Sequence, residues 1–159
     1  MMSLLGLTLA INLLGGFRNL ATRSTSADGA GKIDGPEVGQ WQAWLETNSM
    51  LFEPLATGAR IGIAPSWDSS VGVIITKTAR GLIASGTRRM KQDHPGIIIV
   101  LKSDMAGSLT AQTSSPMSLY YLTTWIRLGR IQAYYMKERD TLKKDGYLEF
   151  LDSIGMSTN

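Results

Sequence analysis

His94 is the one histidine of the chain, and Pro95 follows it directly. A general base needs a fixed orientation and a proton partner within hydrogen-bond reach. A lone histidine in front of a proline reads instead as a residue at the start of an element. The chain has no cysteine, which excludes thiol nucleophiles, thiolate metal sites and disulfides and leaves the compartment open. The phosphate-cradling patterns G-x-x-x-x-G-K-[ST] and G-x-G-x-x-G do not occur, nor does the G-x-S-x-G elbow of a serine nucleophile. The carboxylate pairs Asp140 with Asp145 and Glu149 with Asp152 sit among lysines and read as solvated ion pairs, which stabilise little. The chain is expected not to be an enzyme, and no catalytic residue is assigned.

A second set of oxygens lies nearer the start, in Ser26-Ala27-Asp28-Gly29-Ala30-Gly31-Lys32-Ile33-Asp34-Gly35-Pro36-Glu37. These twelve residues resemble an EF-hand calcium loop. In that family the sixth position is a glycine that makes a sharp turn, the seventh supplies a backbone carbonyl and the twelfth is a bidentate glutamate. Gly31, Lys32 and Glu37 match those positions, Ile33 matches the eighth, and Asp28 matches the third. Asp34, at the ninth, would ligate through water. The resemblance implies a calcium site built from Ser26, Asp28, Lys32, Asp34 and Glu37. Two positions depart from it: Ser26 replaces the first aspartate, and Ala30 brings no side-chain oxygen to the fifth. Read without the resemblance, Asp34 to Glu37 is a helix start, with Asp34 as cap, Pro36 in the first turn and Glu37 closing a capping box. The expectation is no cofactor, with a calcium-binding module as the alternative function.

The third candidate is a basic and aromatic face. Arg127 and Arg130 are one helical turn apart, and Trp125, Tyr134 and Tyr135 interleave with them. Such a face can bind single-stranded nucleic acid by phosphate contact and stacking, or sit at a lipid interface. Its bland counterpart is a solvated face with aromatic core residues. Glu138, Asp140 and Asp145 dilute the positive field, and a net charge of +3 is mild, so nucleic acid is not an expected partner.

The elements that would position these residues read as mostly helical. A helix is expected over 35–51, with Trp41, Trp44 and Leu45 on its apolar side and Pro54 ending it. Ser115 as cap and Pro116 at the first position open a long helix to about Lys144. Leu122, Trp125, Leu128, Ile131 and Tyr135 recur along it every three or four residues. A short last helix follows over Tyr147 to Ile154, with Gly155 as its stop. The middle is ambiguous. Val71 to Thr76 and Ile97 to Leu101 are β-branched runs of strand length, and Thr78 to Gln92 between them suits a helix. Pro65 with Ser66 and Asp68, and Asp93-His94-Pro95, equally suit helix starts. The fold class expected is therefore mainly α, a single helical domain over 24–159 behind an apolar helix over 1–23. The alternative is α+β, with a strand–helix–strand unit at about 71–101.

The first segment shapes the functional reading. Met1 to Phe17 carries no charged side chain, and Arg18 and Arg23 come after it. A secretory signal has the opposite order. Seventeen helical residues reach only about 25 Å, short of a span. Thr8, Asn12, Gly16, Asn19 and Arg23 form a narrow polar stripe. Leu4, Leu5, Leu7, Leu9, Ile11, Leu13, Leu14, Phe17 and Leu20 take the rest, as suits an interface with protein or with a membrane surface. The 159 residues are 43% apolar, only 18% charged and of zero mean hydropathy, which argues against global disorder. Together these features lead to the expectation of a non-enzymatic structural or assembly protein. It would be a homo-oligomeric layer or shell, with a virion or membrane-associated setting as its home. Its partners would be copies of itself, other structural subunits or membrane lipid. A monomeric peripheral membrane protein is a further alternative.

Overall fold

The structure, a computed structural model, describes residues 36–157. Its centre is a sheet of five strands: β1 (Arg60–Ala64), β2 (Gly72–Thr78), β3 (Gly81–Thr87), β4 (Ile97–Val100) and β5 (Gln132–Tyr135), in the order β3-β2-β1-β4-β5. β1 runs parallel to β4, and the other three pairings are antiparallel. Register makes rows across the sheet. Ile75, Ile61 and Ile97 form one row, and Val73, Ile63 and Ile99 the next. Side chains alternate between the two faces of a strand, so both rows point to the same side. Each such isoleucine taken out of water contributes about 1.5–3 kcal/mol.

That side is covered by helices α1 (Pro36–Thr47), α2 (Ser103–Thr110), α3 (Ser115–Arg127), α4 (Arg139–Lys144) and α5 (Tyr147–Ser153), with a 3-10 turn over Ser49–Phe52. Trp41, Trp44 and Leu45 bury one stripe of α1. Trp44 packs edge-on against Trp41 and Phe52, and Phe52 stacks on Phe150 at 5.1 Å. The indole of Trp44 donates to the Ser118 hydroxyl at 2.9 Å, tying α1 to α3 inside the core. Tyr147 fastens α5 to β1: its hydroxyl accepts from the Arg60 N–H at 2.7 Å and donates to the Arg60 carbonyl at 3.1 Å.

Among the described residues the opposite face carries no helix. A small cluster of Ala64, Ile74, Met90 and Ile98 lies there, with Met136 against it. Met90 is wholly buried and belongs to the turn before β4. It fits because Gly62 and Gly72 lie beneath it, where an added Cβ would meet its Sδ or its Cε.

The mainly α architecture expected from the sequence is overturned, and α+β is correct. The runs at 71–76 and 97–101 are strands, yet they are not neighbours, because β1 lies between them. Thr78 to Gln92 is not a helix. Thr78 and Gly81 close a two-residue hairpin turn, and β3 pairs back along β2. The Thr78 hydroxyl donates to the Gly81 carbonyl and accepts the Arg80 N–H, and Gly81 sits at φ +131°. The proposed start at Pro65 is a bend, held by Ser66 donating to Asp68 at 2.7 Å. The one at Asp93 is a turn, with His94 at φ +50°.

The long helix to Lys144 is also corrected. α3 ends at Arg127, and Gly129 adopts φ +65°. Its N–H reaches the Ile126 carbonyl, and the Arg130 N–H reaches that of Trp125. This is a Schellman ending, which favours glycine at the left-handed position. Ser115 is not the cap either. It lies inside α3, with Ser114 before it, and its hydroxyl donates to the Thr47 carbonyl. The short last helix and its stop are present as expected, with Gly155 at φ +91°.

Candidate functional surface

The structure divides the expected basic and aromatic face. Trp125 is 9% exposed and belongs to the core. Arg127 ends α3, Arg130 follows the glycine turn, and Tyr134 and Tyr135 lie on β5. Neighbouring strand residues point to opposite sides, so Tyr134 shares a face with Ile98 and Tyr135 with Ile97. Of the expected calcium ligands, Ser26, Asp28, Lys32 and Asp34 lie outside the described residues, as do Leu4 to Leu20. Glu37 is exposed in the first turn of α1. Among the described residues no three His, Asp or Glu side chains gather as metal ligands would. No described helix is long and apolar enough to cross a membrane. Between the sheet and the helices the apolar core leaves a hollow of about 30 Å³, lined by residues such as Trp44, Ile61, Ile99 and Leu122. It is too small for a substrate, and its apolar lining gives a water no partners.

Tyr134 stacks on Trp67 with ring centroids 4.3 Å apart, and the Lys91 ammonium lies 4.2 Å from the Trp67 centroid. A ring packed that closely fills one face of the indole, which leaves the other for the ammonium. Both faces of Trp67 are thus occupied by its own chain, and it does not offer a stacking platform. The trio is a clamp joining the 65–71 loop, the 88–95 turn and β5. The Met90 N–H, which bonds to the Ser70 carbonyl, and Thr87 with Asp93 hold the same loops. The Ser66 hydroxyl first, then a backbone hydrogen bond and lastly the Lys91 charge hold the Asp68 carboxyl below the usual carboxylate range, against the opposing effect of desolvation.

The two edges of the sheet differ. At β3 the carboxamide of Gln42 lies along the strand. Its Nε2 donates to the Leu82 carbonyl at 3.2 Å, and its Oε1 accepts the Ala84 N–H at 2.9 Å. Bonding to residues i and i+2 of one strand is what a residue of a neighbouring parallel strand would do, so one side chain closes the middle of this edge. At β5 the Met136 N–H donates inward to the Gly96 carbonyl. Antiparallel alternation then turns Tyr134 and Gln132 inward as well, and turns the N–H and C=O of Ala133 and Tyr135 outward. Those outward groups have no partner among the described residues.

The remaining surface feature is on α3. Met117, Tyr120 and Leu128 are 45%, 61% and 61% exposed. With half-buried Tyr121 and Thr124 they follow the three-and-four spacing of one helix face. The sequence reading missed the Trp67 clamp and the Gln42 cap, and no local signal marks either, because each joins segments far apart in the chain. The chain matches no family model, no curated protein and no solved structure.

Proposed function

We propose that this chain is a non-catalytic subunit of a homo-oligomeric assembly of the layer or shell kind. The row of large apolar side chains along α3 carries the reading. Single exposed apolar residues are ordinary, whereas a contiguous apolar row marks a contact surface. Met117 and Tyr120 on α3 and Leu128 at its cap are exposed large apolar side chains at the spacing of one helix face, and the other side of the helix is anchored in the core through Leu122 and Trp125. The low charged fraction of 18% supports the same reading, since less of this surface is built to face water alone. The test replaces Met117, Tyr120 and Leu128 together by serine in the full chain. The fold should survive, as surface substitutions away from special features change stability by about 0.5 kcal/mol or less each. The assembled mass should fall. An unchanged mass distribution overturns the reading.

A further inference from the structure

We infer that two copies of this chain join through β5, antiparallel and about a two-fold axis, to make one continuous ten-stranded sheet; the inference rests on the assembly reading above. The difference between the sheet edges points to β5. The Gln42 carboxamide occupies β3 where a further strand would bond, whereas Ala133 and Tyr135 present their N–H and C=O groups outward. Unpaired edge groups are a template for another strand, and a second copy supplies one with the same four groups.

The register follows from counting. Pairing Ala133 with Tyr135 of the partner subunit engages both outward residues of each copy, giving four backbone hydrogen bonds. Pairing either residue with its own counterpart sets the other outward residue against a position beyond the strand. The chosen register also places a small side chain opposite a large one. It centres on Tyr134, which the Trp67 stack holds in place. Charge fits as well. Arg130 lies four residues before Tyr134 and Glu138 four after it, and both are exposed. Arg130 and Glu138 lie beyond the two ends of β5, so an antiparallel copy brings the Arg130 end of one strand toward the Glu138 end of the other, at both ends of the pair.

The test uses the full chain in a concentration series, with mass followed by sedimentation. Ala133→Pro removes an outward N–H and leaves the inward ladder to β4 intact, as edge strands tolerate. It should raise the midpoint of association by about tenfold or more, since the symmetric interface loses that bond twice. Arg130→Glu and Glu138→Arg should each weaken association about three- to tenfold, and the double reversal should restore it. Amide hydrogen exchange at residues 133 and 135 should slow as copies associate. Association that ignores Ala133→Pro and both reversals, with no slowing at 133 and 135, overturns pairing through β5 and leaves the assembly reading standing. A chain that stays single at every concentration overturns both.

Discussion

Tyr147 ties α5 to β1 by bonding both backbone groups of Arg60. The Arg60 carbonyl also takes the Gly96 N–H at 2.8 Å, but the Arg60 N–H has the Tyr147 hydroxyl as its partner. Tyr147 is itself fully buried. Tyr147→Phe keeps the ring and strands that N–H, so an expected loss of about 1–3 kcal/mol should appear in urea unfolding. Gly96 shows the same constraint from the other side, because a Cβ there would strike the Tyr147 ring. Asp68 gives a pH readout. Its folded carboxyl lies below its ordinary value, held mainly by Ser66. The sign is that of a depressed acid: the contribution is present above the unfolded pKa and is lost as pH falls through the folded one. NMR titration should place the Asp68 midpoint below that of a free aspartate, and Ser66→Ala should move it upward.

Glycine decides the elements. Gly129 stands at φ +65°, where L-residues cost about 1–2 kcal/mol, so Gly129→Ala should destabilise the fold by about 1 kcal/mol. Gly146→Ala should cost more, because it adds to φ +78° a collision with the Pro54 carbonyl oxygen. Thermal unfolding of the pair, with Gly146→Ala melting lower, checks the order. These positions also explain what was legible in the sequence. The end of the last helix could be read because Gly155 follows a periodic run and nothing competes. Gly129 is not legible as a stop because Leu122, Trp125 and Ile131 keep helical spacing straight across it, and spacing does not see a left-handed residue. In the middle, the β-branched runs were legible as apolar segments. Their pairing was not, because β1 reaches β4 from more than thirty residues away in sequence, and only the register shows that β3 folds back as a hairpin. The candidate site was less legible still. Tyr134 and Arg130 stand out in the sequence as basic and aromatic residues, but which way the β5 edge faces is carried by no helical periodicity.

At the scale of the whole molecule the described residues cover one side of the sheet with helices and the other with Met90 and the Trp67 clamp. Gln42 caps the middle of one edge, and the β5 edge has no partner among the described residues. Gln42→Ala would free the Leu82 carbonyl and the Ala84 N–H, giving the sheet two open edges. Light scattering should then show larger, less defined particles than the unmodified chain forms, with the helix content of the fold retained. The apolar opening segment, Leu4 to Leu20, from which the sequence points toward assembly, lies outside the described residues. The measurement that bears most directly on the assembly account is the solution mass of the unmodified full chain over a wide dilution series. Assembly requires masses at multiples of 17.3 kDa that dissociate on dilution; a constant 17.3 kDa at every concentration would contradict it.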